Sequence, residues 1–122
     1  VADRVHFVGR LSETEKHAAI SRSHALVLPS SGEGFGIVYL EAMAHRKPCL
    51  AACVGGAPEV VLDGETGVVV EPTVQAVCAG ILRLRDPSLR QRLGDAGYQR
   101  LYDHFTYAAF ARHAEPFFAR LY

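Results

Sequence analysis

Two carboxylates set among glycines are the residues of this chain best suited to chemistry. Pro29 to Ala44 reads Pro-Ser-Ser-Gly-Glu-Gly-Phe-Gly-Ile-Val-Tyr-Leu-Glu-Ala-Met-Ala, with seven residues between Glu33 and Glu41. The apolar run Ala25-Leu26-Val27-Leu28 leads into it, and Ile37, Leu40, Glu41 and Ala44 follow at helical spacing. The pattern predicts a strand, a glycine loop and a helix start. Backbone N–H groups at such a helix start point outward and carry the positive end of the helix dipole, so they favour an anion, most often a phosphate. Carboxylates repel phosphate. Glu33 and Glu41, both able to face the crevice over the strand ends, are instead expected to accept hydrogen bonds from sugar hydroxyls.

The elements around this stretch predict the frame that holds it. Val5-His6-Phe7-Val8 is a short β-rich run ended by Gly9, and Ser12-Glu13-Thr14-Glu15 forms a capping box for a helix reaching about Ser23. Ala25 to Leu28 is continuous and apolar, as buried parallel strands are. The helix from Ile37 closes near His45-Arg46-Lys47, where cations suit the C-terminal dipole, and Pro48 stops it. Cys49 to Val54 gives the next strand. Gly55-Gly56-Ala57-Pro58 then turns the chain into a short helix bearing Glu59; the glycine pair serves either a close backbone approach to a ligand or a turn at positive φ. Asp63 to Gly67 reads as a turn and Val68 to Val70 as a fourth strand. Helical spacing then recurs through Val77, Ile81 and Leu84, restarts after Asp86-Pro87-Ser88, and returns from Thr106 with Phe110, Phe117 and Leu121, bent near Pro116. The aromatic side of that last helix is expected to pack in the core. Strands alternating with helices imply a parallel, doubly wound α/β sheet of about four strands with helices on both faces, and the crevice beyond the strand ends is where such sheets bind ligands.

Composition narrows the partners. The 122 residues suffice for one modest domain, and 13 basic against 13 acidic residues give a formal net charge of zero, which supports neither a nucleic-acid groove nor an anionic membrane surface. Cys49, Cys53 and Cys78 have no metal-type spacing and sit in apolar contexts, so they read as reduced, structural thiols of a cytoplasmic protein. The six histidines show no metal spacing either. No stretch approaches the roughly twenty apolar residues of a membrane span, and no leader is evident.

Pro29-Ser30, Glu33-Gly34-Phe35-Gly36 and Glu41-Ala42-Met43-Ala44, continued by Pro48, Gly55-Gly56-Ala57-Pro58-Glu59-Val60-Val61 and Asp63-Gly64-Glu65-Thr66-Gly67, resemble the Glu-x7-Glu signature region of group 1 (family 4) retaining glycosyltransferases of GT-B architecture. The likeness spans Val5 to about Val70. It implies the Rossmann-like, donor-binding C-terminal half of a two-domain enzyme that moves a glycosyl unit from a nucleotide-diphosphate sugar to an acceptor hydroxyl, without cofactor or metal. Glu33 then contacts the donor sugar and stabilises positive charge near its anomeric centre. Gly34, Phe35 and Gly36 approach the sugar through their backbone, the N–H groups of Ile37 and Val38 receive the diphosphate, and Glu41 holds the ribose hydroxyls. Val38 stands where many relatives carry proline. Val8, Gly9 and Arg10 match a later loop of the family that borders the base, which leaves Arg10 and Lys16 as solvated helix-start charges rather than phosphate ligands.

In the family the sheet order is 3-2-1-4-5-6, and this chain matches it from the third strand onward. The chain also begins at Val1 without Met. The expectation is therefore an incomplete domain, residues 1–122, inactive alone, whose acceptor and any peripheral membrane association belong to a missing N-terminal domain. Val5 to Val8 is then expected to pair directly with Ala25 to Leu28. Two other functions fit the architecture: a sugar phosphorylase or sugar-nucleotide epimerase, and a noncatalytic nucleotide-binding module.

Overall fold

The computed structural model describes residues 2–32 and 34–120. After a short 3-10 turn at Ala2–Arg4 come α1 (Glu13–Arg22), β1 (Leu26–Leu28), α2 (Ile37–Ala44), β2 (Cys49–Ala52), α3 (Ala57–Val60), β3 (Gly67–Val70), α4 (Val74–Arg83), α5 (Pro87–His104) and α6 (Tyr107–Phe118). The strands form one parallel sheet in the order β1-β2-β3. Leu26 sits opposite Cys49 and Cys49 opposite Gly67.

Side chains alternate across the sheet and divide the core in two. Leu26, Leu28, Cys49, Ala51 and Val69 join Ile20, Tyr39, Ala42, Met43, Ala57, Val60 and Val61 on one face. Leu50, Val68 and Val70 join Val77, Leu84, Leu89 and Leu93 on the other. Every residue of β2 is fully buried, the condition of a parallel strand covered by helices on both sides.

The helix starts follow from their caps. Ser12 Oγ accepts from the Glu15 N–H at 3.3 Å while Glu15 Oε2 accepts from the Ser12 N–H at 2.8 Å, the reciprocal box expected before α1. Thr73, Asp86 and Thr106 cap α4, α5 and α6 through their side-chain oxygens. At its far end α2 docks on α5. Arg46, at φ 54°, lays its guanidinium 3.8 Å from the Tyr98 ring centre and donates to Asp95 Oδ1 at 2.9 Å.

Three expectations are corrected. Val5 to Val8 forms no strand and does not pair with β1: Val5, Phe7 and Val8 are exposed, Phe7 at 96%. Strand preference is largely a capacity to pack and pair on a half-buried surface, and this segment has neither covered face nor ladder partner. The sheet therefore has three strands among the described residues, not four. Phe110 and Phe117 are exposed on α6, where Ala109 is the buried residue; α6 runs through Pro116 to Phe118, and Leu121 lies outside the described residues. Of the three thiols only Cys49 is in the core, and burial pushes it up to about 12; Cys53 and Cys78 are exposed.

Two tests follow from the packing. A Cβ built on Gly94 of α5 would lie 2.1 Å from the Arg46 carbonyl oxygen. Alanine propensity in a helix favours Gly94→Ala by about 1 kcal/mol, whereas overpacking costs about 1–3 kcal/mol. A net loss of stability in urea unfolding is expected, and a gain would show that α5 does not sit on that carbonyl. The second test concerns acid. Hydrogen bonds from the Ser12 backbone and hydroxyl hold Glu15 below the usual carboxylate range, and those from Ser88 do the same for Asp86. Groups depressed in the folded state stabilise above their unfolded pKa, and that contribution is lost as pH falls through the folded value. The melting temperature is expected to fall below about pH 4.3, with a shallower acid slope in Ser12→Ala; equal slopes would remove the box from the account.

Candidate functional site

The site is built where β1 ends. Gly36 caps α2 at φ 81°, ψ 49°, a left-handed conformation open to glycine at little cost. With no side chain it offers no capping hydrogen bond. Tyr39 N–H turns back to the Gly36 carbonyl at 3.0 Å, while Ile37 and Val38, the first residues of α2, present their N–H groups at the positive end of the helix. Gly34, Phe35 and Ile37 are exposed and Val38 half-buried. Glu33 lies outside the described residues.

A second loop fixes the first from below. An added Cβ at Gly56 would stand 2.1 Å from the Gly34 carbonyl oxygen and 3.4 Å from Phe35 Cα, so the chain before α3 lies directly against the glycine loop. Of the roles considered for the glycine pair, the turn is seen at Gly55, which takes positive φ at 61°; the close approach at Gly56 is to protein backbone, not the approach to a ligand that was expected.

Two aromatic contacts complete the support. Tyr39, fully buried, donates its hydroxyl proton to the Leu28 carbonyl at 2.7 Å, which ties α2 to the last residue of β1. The Phe35 ring meets Phe105 edge-on with centroids 6.0 Å apart. Arg100 lies over Phe105 and donates to the Val60 and Glu59 carbonyls at 3.0 and 2.7 Å, so the end of α5 grips both the glycine loop and α3. A hollow of about 320 Å³ lined by Pro29, Pro72, Thr73, Val74, Val77 and Cys78 opens beside the start of the loop.

Glu41 sits one turn into α2, its side chain 19% exposed, and Lys16 of α1 donates to its Oε1 at 2.7 Å. The same ammonium is 2.8 Å from Glu13 Oε2. Lys16 is thus a bridge between two carboxylates and not the solvated charge the sequence suggested. Beside Lys16 on α1 and four residues past Glu41 at the C-cap of α2, His17 Nδ1 and His45 Nε2 share a hydrogen bond of 3.0 Å. Ligand atoms of Glu13, His17 and Glu41 lie within 4.8 Å of one another, a spacing that could hold a cation; the Lys16 ammonium already bridges the two carboxylates. Val8, Gly9 and Arg10 are exposed in the segment before α1, with Gly9 at φ 67°.

The arrangement offers helix-start N–H groups for an anion, two small-residue loops stacked backbone to backbone, and a held carboxylate for hydroxyls. Tyr39, Phe105 and the reach of Lys16 carried no signal in the sequence. Tyr39 reads as an ordinary helical aromatic, and the partners of Phe105 and Lys16 are distant along the chain.

Gly56→Ala forces the Gly34 and Phe35 backbone to move, because a carbonyl cannot yield as a flexible side chain can. A loss of about 1–3 kcal/mol is expected, read as a fall in melting temperature. Full retention of stability would show that the two loops do not touch.

Comparison with known proteins agrees with the geometry. Residues 1–100 match the model of the family described as glycosyl transferases group 1. Glycogen synthase of Mycobacterium tuberculosis is 42% identical over 107 residues, 86% of this chain and 26% of that protein. D-inositol 3-phosphate glycosyltransferase of Streptomyces avermitilis is 38% identical over 119 residues, 96% of this chain and 23% of that protein. The chain thus spans about a quarter of the length of these relatives. Sucrose-phosphate synthase of Thermosynechococcus elongatus superposes with a TM-score of 0.85 at 36% identity, over 98% of this chain and 30% of that structure. Anabaena HepE, solved with UDP and glucose, superposes with a TM-score of 0.80 over 97% of this chain and 32% of its own; at 23% identity that likeness is one of fold. This chain belongs to the group 1 glycosyl transferases.

Proposed function

We propose that the protein carrying this chain transfers a glycosyl unit from a nucleotide-diphosphate sugar to an acceptor hydroxyl with retention, and that residues 1–122 form the donor-binding part. The observation that carries the reading is the start of α2, where a left-handed Gly36 leaves the helix without a side-chain cap one turn ahead of a carboxylate held by Lys16. An uncapped helix start suits a diphosphate, and a fixed carboxylate suits vicinal ribose hydroxyls, the role an acidic residue plays in dinucleotide folds.

In this reading the Ile37 and Val38 N–H groups receive the diphosphate and Glu41 the ribose. The Gly34 to Gly36 backbone lies along the sugar, and Val8, Gly9 and Arg10 border the base. Glu33 contacts sugar hydroxyls and stabilises an oxocarbenium-like transition state by its negative charge. The bond between the anomeric carbon and the diphosphate oxygen breaks, the nucleoside diphosphate leaves with the electron pair, and the acceptor oxygen bonds to the anomeric carbon on the same face of the ring, passing its proton to the departing diphosphate oxygen. No residue of this scheme requires a metal: the helix start and its dipole face the developing charge on the leaving group. The acceptor is bound by a second domain outside these residues. In this reading the unit transferred is a hexosyl group and the reaction is cytoplasmic. Within the described residues no helix is long and apolar enough to cross a membrane.

Losing a hydrogen bond to a charged group costs about 1.5–3 kcal/mol. Glu41→Ala is therefore expected to weaken binding of whichever of UDP, GDP and ADP the full-length protein takes, by about tenfold or more, measured by titration calorimetry. Unchanged affinity refutes the assignment.

A further inference from the structure

Lys16 has a geometry that helix solubility does not explain. Its ammonium crosses from α1 to α2 and reaches Glu41 Oε1 at 2.7 Å, while Glu13, on its own helix, braces it at 2.8 Å. The Lys16 and Glu41 side chains are 32% and 19% exposed, against 78% for Glu13. The chain of contacts therefore runs from solvent inward, Glu13 to Lys16 to Glu41. Exposed ion pairs contribute little to stability because water screens them and two long side chains must be immobilised. What a half-buried, doubly anchored pair does supply is orientation: Glu41 surrenders rotamer freedom before any ligand arrives, so less is lost on binding. The contact engages Oε1, which leaves Oε2 as the second acceptor of the same carboxylate. Hydrogen bonds from Lys16 to Glu13 and to Glu41 push the lysine up from its ordinary value, so the bridge stays charged through neutral pH. The hydrogen bond from His17, the next residue of α1, to His45 at the C-cap of α2 joins the same two elements, which keeps the distance that Lys16 must span.

We propose that Lys16 is a positioning residue for the donor nucleotide: it holds Glu41 by one oxygen and turns the other toward the ribose hydroxyls. The inference rests on the reading of Glu41 as the ribose ligand. It assigns Lys16 no contact with phosphate.

The test is selectivity for the ribose hydroxyls in the full-length protein, using UDP, GDP and ADP, each paired with its 2′,3′-dideoxy counterpart. Wild type is expected to favour the ribo form of the nucleotide it binds by about tenfold or more. Lys16→Met is expected to lose most of that preference, weakening the ribo form while leaving the dideoxy form unchanged, and Lys16→Arg to restore it in large part. A merely structural lysine would weaken both forms alike, and that result overturns the proposal, as does a preference left intact in Lys16→Met. Should Lys16→Met fail to fold, Glu13→Gln, which removes only the brace, is expected to reduce the preference in the same direction; an unaltered preference there overturns the proposal. Glu41→Ala separates the two readings. If it abolishes the preference and Lys16→Met does not, the positioning role fails alone; if it keeps the preference, the ribose assignment fails and the role of Lys16 with it.

Discussion

The structure depends on one constraint: β2 is buried on both faces. A parallel strand flanked by two others has its backbone satisfied in the plane of the sheet and needs apolar cover above and below. Cys49 and Ala51 look one way and Leu50 the other, so helices must return to both sides. In a right-handed βαβ crossover that return carries each connection from the C-terminal end of one strand over the sheet to the N-terminal end of the next. The loops after β1 and β2 are thereby brought to the same edge. Their juxtaposition follows from sheet topology and owes nothing to any affinity between them.

Given that edge, the site is shaped by the absence of side chains. Gly56 lets the second loop touch the Gly34 carbonyl, and Gly36 lets the first turn directly into a helix with no cap. Backbone stacked on backbone leaves little play, and the few side chains present act as fasteners. Tyr39 ties α2 to β1, Phe105 and Arg100 bind the end of α5 to both loops, and Arg46 fixes the other end of α2 to α5. The short helix proposed to present its N-terminus to a ligand is thus held at both ends, as a recognition element must be if the cost of ordering it is to be met by folding and not by binding.

Charge is handled with the same economy. Net charge is zero, so in the proposed function attraction of an anionic donor falls to the oriented peptide groups of one helix start. Glu41, close to that start, bears a charge of the wrong sign for a phosphate. The Lys16 ammonium beside it compensates locally and leaves the carboxylate free to accept hydrogen bonds from hydroxyls.

Most elements were legible in the sequence, because their signals are local. The Ser12 to Glu15 box, the Asp86-Pro87 start, the Pro48 stop, the apolar runs of β1 to β3 and the glycines before α2 all act within a few residues, and the helix and strand menu follows from them. Where a signal needed a distant partner the sequence misled. Val5 to Val8 has the composition of a strand but no ladder to join, and Phe110 and Phe117 have helical spacing but no covering surface. Lys16 sits in a capping-box helix where a solvated lysine is the ordinary outcome, and its Glu41 partner is twenty-five residues away. The sequence by itself determined the parallel α/β order and the chemical types gathered at the glycine loop, since propensity, capping and periodicity are properties of neighbours. Only the tertiary structure decided which backbone lies against Gly56 and which cation holds Glu41, because those contacts exist only once the crossovers have closed the sheet.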